Sequence, residues 1–153
     1  MDGFHLADSE LERLGKSDRK GAIDTFDVES YVALLERLRR GTLTTVHAPE
    51  FRRELEASVA GAITIPAETA LVITEGNYLL VEEGPWARIG RLLDECWYLD
   101  LDDTTRIERL TARHLAHGRS AEAACAWVRD VDEANAAVVA ATRDRADLLI
   151  GPA

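Results

Sequence analysis

The sequence predicts an α/β protein, with a mostly parallel sheet covered by helices on both faces, and three observations predict it. Continuous apolar runs at Ala70–Thr74 (ALVIT), Cys96–Leu101 (CWYLDL) and Asp147–Ile150 (DLLI) lack the alternation of a half-exposed strand, so they read as strands buried on both sides. Helix-period segments lie among them. No internal repeat, low-complexity tract or flexible linker interrupts the 153 residues, which therefore read as one domain.

Taken in order, the first six residues, Met1-Asp2-Gly3-Phe4-His5-Leu6, carry chemistry-bearing side chains with no strand ahead of them. Asp27–Arg40 then sets Tyr31, Leu34, Leu35 and Leu38 at helical spacing, and Gly41 stands where a C-terminal cap belongs. Thr44–His47 and Gly61–Ile65 are β-prone, separated by the charged stretch Phe51–Ser58, and Pro66 stops the second; they predict a small hairpin. The ALVIT run opens into Glu75-Gly76-Asn77, a turn sequence at a strand end. Asp103–His117 begins with capping residues, carries Ile107, Leu110 and Leu115, and stops at Gly118. Ser120 caps a second, alanine-rich helix running to about Thr142, with Trp127, Val128, Val131, Val138 and Val139 near one stripe.

Composition excludes several function classes. Eighteen basic against 28 acidic residues give a net charge of -10, which repels polyanions and argues against nucleic acid or an anionic membrane as partner. No apolar run is long enough to span a bilayer, and the first residues carry acid where a secretory signal carries base, so a cytoplasmic protein is expected. Cys96 and Cys125 lie far apart in apolar surroundings and read as core residues, not as a disulfide or zinc site. There is no G-x-S-x-G elbow and no cluster among the four histidines.

Four segments follow one another in a telling order: Met1-Asp2-Gly3-Phe4-His5, Asp24-Thr25-Phe26-Asp27, Ile73-Thr74-Glu75-Gly76-Asn77-Tyr78, and Asp102 through Arg119. Over nearly its whole length the chain resembles the P-loop metabolite kinases of the uridine kinase, phosphoribulokinase and pantothenate kinase group, nearest to nucleoside/nucleotide kinase and fructose transport system kinase-like proteins. The resemblance implies a P-loop NTPase-like sheet, ATP and Mg2+, and phosphoryl transfer to a hydroxyl of a small metabolite such as a nucleoside, a sugar or pantothenate.

It also implies roles residue by residue. Asp2 is the expected catalytic base, beside the magnesium ion that Glu75 helps to hold. His5, Phe26 and Asp27 are the expected acceptor-side residues. Residues 103–120 are the expected lid, with Arg106 and Arg109 closing on the transferred phosphate and Arg113 and Arg119 assisting. Arg143 is placed near the adenine. Plainer readings stand beside these: Asp27 as the cap of the helix it precedes, Phe26 as core, His5 as a structural or exposed histidine, Glu75 as a surface acid, and Arg106, Arg109 and Arg113 as a solvated face pairing with Asp102, Asp103 and Glu108.

What the resemblance leads one to look for and the sequence lacks is a strand followed by G-x-x-x-x-G-K-[ST], the phosphate cradle of such kinases. Gly15-Lys16-Ser17 has no earlier glycine at the required spacing, no preceding strand, and follows Asp2 instead of preceding it. The expectation is that Met1 corresponds to an internal methionine of a longer parent, that this chain binds ATP weakly or not at all, and that a sheet edge is left open to a second copy. The alternative is a noncatalytic remnant that binds a small molecule or a protein partner.

Overall fold

The computed structural model describes residues 1–41 and 44–151. They fall into two compact units, Met1–Asp94 and Glu95–Ala153, each of which is described by itself.

In the first unit, helix α1 (Asp8–Arg13) and a 3-10 turn (Ser17–Arg19) precede helix α2 (Val28–Arg39). Helix α2 forms where the 3.6-residue period demands, because Val28, Tyr31, Val32 and Leu35 make one buried stripe. The Asp27 carboxylate caps it, accepting from Ser30 N at 3.1 Å, and Gly41 follows at φ +71°. The hairpin is present and longer than the sequence suggests: β1 (Val46–Arg52) pairs antiparallel with β2 (Ala57–Ile65). Its register slips between Ala48 and Glu50, at Pro49, a residue with no N–H to give the ladder. A 3-10 segment (Gly84–Leu92) packs on α2, with Arg88 bridging Glu29 at 2.7 Å and Glu36 at 2.9 Å. The core beneath is aromatic: Phe26, Tyr78 and Trp86 meet edge to face with centroids 5.3 to 6.0 Å apart.

One expectation fails here. Ala70–Thr74 is not a buried strand; it runs without a ladder, and Leu71 and Ile73 are 73% and 85% exposed. A doubly buried strand needs backbone partners on its flanks, and among the described residues no strand pairs with this run. It is held instead at its end, where Tyr31 Oη and Thr74 Oγ1 lie 2.8 Å apart.

The second unit is built on a parallel pair, β3 (Trp97–Leu99) beside β4 (Leu148–Ile150), joined through α3 (Asp103–Ala116), α4 (Ala121–Trp127) and α5 (Glu133–Ala140). Asp102, one residue ahead of the expected start, caps α3 by accepting from Thr105 N at 2.9 Å; that bond holds its carboxyl below the usual range. Ser120 caps α4 as expected. The single long helix anticipated after Ser120 is interrupted by a π-helical turn, Val128–Asp132. Two contacts to α3 meet at that turn and its end: His114 Nε2 to Asp132 Oδ2 at 2.8 Å, and Arg106 to Glu133. Among the described residues the sheet is thus two two-stranded ladders, one antiparallel and one parallel. The expected burial of both cysteines also needs correcting, because Cys125 is exposed on α4 and Cys96 is half-buried.

Candidate functional site

Asp2–Phe4 forms a 3-10 turn clamped from several directions. Leu6 N donates to Thr25 O at 3.0 Å and Asp27 N to Phe4 O at 2.8 Å, tying the turn to the start of α2. Gly3 lies flat against the hairpin: a Cβ there would stand 2.2 Å from the Pro49 carbonyl oxygen, so only glycine fits. Met1 N donates to Glu75 O at 2.9 Å and meets Glu75 Oε1 at 3.0 Å. Gly76 makes room for this contact, since a Cβ on it would lie 2.6 Å from the Met1 sulfur.

These contacts bring Asp2 and Glu75, 73 positions apart in the chain, onto the wall of one cavity of about 530 Å3. Glu50 lines it too, with its carboxylate 2.8 Å from Arg52 Nε. Most of the remaining wall is apolar, with Phe4, Leu35, Leu38, Ile63 and Ile73 prominent. Nothing in the sequence around Glu50 or Ile63 signals this role; the hairpin delivers them.

The three expected acceptor-side residues do not line this cavity. The His5 ring packs at a tilt against Phe26, with centroids 4.1 Å apart, and Phe51, at 5.3 Å, and its Nδ1 is 2.8 Å from Asp2 O. Burial pushes the His5 imidazole below its ordinary pKa, outweighing the hydrogen bond and the charge of Asp2, which act the other way. Phe26 is buried among Tyr78 and Trp86, and Asp27 is the α2 cap. For Phe26 and Asp27 the plainer readings describe what these side chains do.

In the second unit Arg106, Arg109 and Arg113 share a face of α3 and, with Leu101 and Leu110, line a concavity of about 250 Å3. They are not equivalent. Arg106 is engaged, with Nη2 3.0 Å from Asp103 and Nη1 2.6 Å from Glu133, the latter a charge contact not aligned as a hydrogen bond. Glu133 first, with Asp103 assisting, holds the guanidinium still more firmly protonated. Arg109 and Arg113 are exposed and form no ion pair among the described residues. Arg119 lies over the Trp127 ring at 4.0 Å, and Arg143 donates to Asp100 Oδ2 at 2.6 and 3.1 Å. Both expected ligand-binding side chains therefore have protein partners.

Asp2 and Glu75 are carboxylates of the kind that would hold magnesium together with waters and phosphate oxygens, but Glu75 Oε1 already meets the Met1 ammonium at 3.0 Å and no cluster of three or more metal-type ligands occurs among the described residues. No G-x-x-x-x-G-K-[ST] loop stands among the described residues to cradle the phosphates of ATP. Lys16 of Gly15-Lys16-Ser17 binds Asp24, its Nζ 3.0 Å from both the carbonyl and a carboxylate oxygen, and the turn that follows is three residues long.

No family model matches the chain. Among curated proteins, the ATP-dependent kinase-like protein notR' of Aspergillus versicolor is 33% identical over 125 residues, which cover 77% of this chain and 73% of that protein. Among solved structures, the "putative fructose transport system kinase" of Silicibacter sp. TM1040 superposes with a TM-score of 0.86 at 36% identity, over 97% of this chain and 71% of that one. YFH7 of Saccharomyces cerevisiae, described as "a putative P-loop containing kinase with a circular permutation", gives a TM-score of 0.84 at 23% identity, over 99% and 56%, and shows the fold alone. The chain spans roughly half to three-quarters of the length of these proteins. Its α/β architecture is that of the P-loop kinases.

Proposed function

The chain belongs to the family of ATP-dependent kinase-like proteins built on the P-loop kinase fold, and on that premise we propose that it is the acceptor-binding part of a cytoplasmic small-molecule kinase. The reaction is phosphoryl transfer from ATP to a hydroxyl of a metabolite in the range of nucleosides, sugars and pantothenate. One observation carries the reading: Asp2 and Glu75, far apart in sequence, stand on the wall of a single cavity of ligand size.

In this reading Asp2 accepts the proton of the acceptor hydroxyl, since a single carboxylate beside the attacking oxygen suffices for that step. Asp2 and Glu75, the latter on release from the Met1 ammonium, would hold magnesium, which would neutralise charge on the phosphates. Arg109 and Arg113 are the guanidinium groups available to a transferred phosphate. Arg106, already engaged by Glu133 and Asp103, orients α3, while Arg119 and Arg143 reach a ligand only by leaving Trp127 and Asp100. The reading requires a phosphate cradle that these 153 residues do not contain.

The test uses a chimera in which a strand–G-x-x-x-x-G-K-[ST]–helix segment is fused ahead of Met1. Asp2→Asn in that chimera abolishes turnover and leaves ATP binding largely intact; unchanged turnover removes Asp2 as the base. The missing cradle favours a second reading, a noncatalytic chain that binds the acceptor-type molecule alone. Binding of a small alcohol by a chimera with no turnover at all would select it.

A further inference from the structure

Most charged groups on the wall of the cavity beside Asp2 are already matched within the protein. Glu50 Oε2 accepts from Arg52 Nε at 2.8 Å, and Glu75 Oε1 meets the Met1 ammonium at 3.0 Å. Two charged side chains on that wall then remain without an ion pair among the described residues, the Asp2 carboxylate and the Arg53 guanidinium. They carry opposite charge.

Local structure explains why Arg53 is left over. Strand β1 ends at Arg52, and the chain turns into β2 with Glu56 N donating to Arg53 O at 3.2 Å and Glu56 at φ +48°. Arg52 engages the acids on both sides of it, Glu50 at 2.8 Å and Glu54 at 3.9 Å. Arg53 therefore keeps its charge unspent in a protein of net charge -10. An exposed arginine on a turn is ordinary, but this one stands on the wall of the cavity that holds the candidate base.

A guanidinium presents a planar fork of N–H donors that a carboxylate meets with two parallel hydrogen bonds, while a carboxylate such as Asp2 accepts from a hydroxyl and repels another carboxylate. The two unpaired charges thus read opposite ends of a ligand and set which end meets the base. Resting on the kinase reading, we infer that Arg53 is the specificity-determining residue of this cavity and that the acceptor is a hydroxy acid, its hydroxyl at Asp2 and its carboxylate at Arg53. Within the acceptors named above this is the pantothenate type, since neutral nucleosides and sugars lack the group that Arg53 takes. A volume of about 530 Å3 accommodates a molecule of that size.

The test compares pantothenate with pantothenol, which carries a hydroxymethyl group in place of the carboxylate, on the 153-residue chain with labelled isoleucine methyl groups. NMR follows the Ile63 and Ile65 signals of the cavity wall. Pantothenate binds about fivefold more tightly than pantothenol, a margin in keeping with an exposed charge pair. Arg53→Gln removes that margin by weakening pantothenate alone, Arg53→Lys restores part of it, and Arg53→Glu reverses the order. Equal affinities for the unaltered chain overturn the inference, as does an Arg53→Gln loss shared by both ligands, or no response to pantothenate at up to about 10 mM. Each of these leaves the kinase reading standing, because that reading is judged by phosphoryl transfer in the chimera. No transfer in the chimera, with Arg53-dependent pantothenate binding intact, would sink the kinase reading and leave the carboxylate subsite in place.

Discussion

Replacing Gly3 by alanine perturbs the placement of Asp2 without touching its carboxylate. The added Cβ would lie 2.2 Å from Pro49 O and 2.6 Å from Pro49 C. An ordinary carbon–oxygen contact is about 3.3 Å, so the turn and the hairpin must separate by about 1 Å. The atoms that the fixed Cβ would meet are backbone, and Pro49 sits at the bulge inside a paired hairpin, so no side-chain rotation relieves the clash. Overpacking of this kind costs about 1–3 kcal/mol, and a shift of about 1 Å in a catalytic group costs on the order of a hundredfold in rate. Urea unfolding followed by Trp86 fluorescence reads the first effect, because Trp86 is buried in the first unit; Trp97 and Trp127 are replaced by phenylalanine to isolate its signal. Gly90→Ala is the control, since a Cβ there meets nothing within 4 Å and the backbone is not left-handed. If Gly3→Ala unfolds at the same urea concentration as Gly90→Ala, the close approach to Pro49 is not what fixes Asp2.

The α3 arginines separate by partner. Arg106→Ala leaves the Glu133 carboxylate without its cation and destabilises the second unit by about 1–2 kcal/mol, between the cost of a surface and a buried pair, whereas Arg109→Ala stays within about 0.5 kcal/mol. Thermal unfolding checks both, and in the chimera Arg109→Ala lowers turnover more than acceptor binding. His5 makes the first unit sensitive to mild acid. Its pKa is lower folded than unfolded, so the unfolded chain takes the proton first as pH falls below about 6.5, and stability declines from there until the folded-state pKa is passed. Denaturation midpoints at stepped pH show this slope, and His5→Phe flattens it.

Periodicity and caps carried much of the fold. Helices α2 and α3 are legible because Tyr31, Leu34, Leu35 and Leu38, or the capping residues that open Asp103–His117, are local signals that a 3.6-residue repeat and one capping bond convert directly into structure, although the buried stripe of α2 also takes in Val28 and Val32 and the cap of α3 is Asp102. The run Ala70–Thr74 was not, because apolar composition reports what a strand would bury while a ladder depends on neighbours the sequence cannot count. The π turn at Val128–Asp132 escaped for a similar reason: it coincides with contacts to His114 and Arg106, which lie on another helix.

At the site, motif order picked out Asp2 and Glu75, which share one cavity. It did not distinguish a ligand-facing aromatic from a core one at Phe26, where the answer lies in Tyr78 and Trp86, more than fifty residues away. Nor did it see that Gly3 is required by Pro49, or that of three arginines on one face Glu133 has claimed the first. Each of these is a long-range contact, written in the sequence only as two unrelated residues.

The central claim is that this chain carries the acceptor side of a kinase site but no cradle for the phosphates of ATP. Calorimetric titration with Mg-ATP tests it most directly, run on the 153-residue chain beside the chimera bearing the phosphate-binding segment. The account predicts saturable binding by the chimera and none by the chain alone up to about 1 mM. Saturable binding of Mg-ATP by the 153-residue chain itself would contradict it, because phosphate recognition would then reside in residues assigned here to other work.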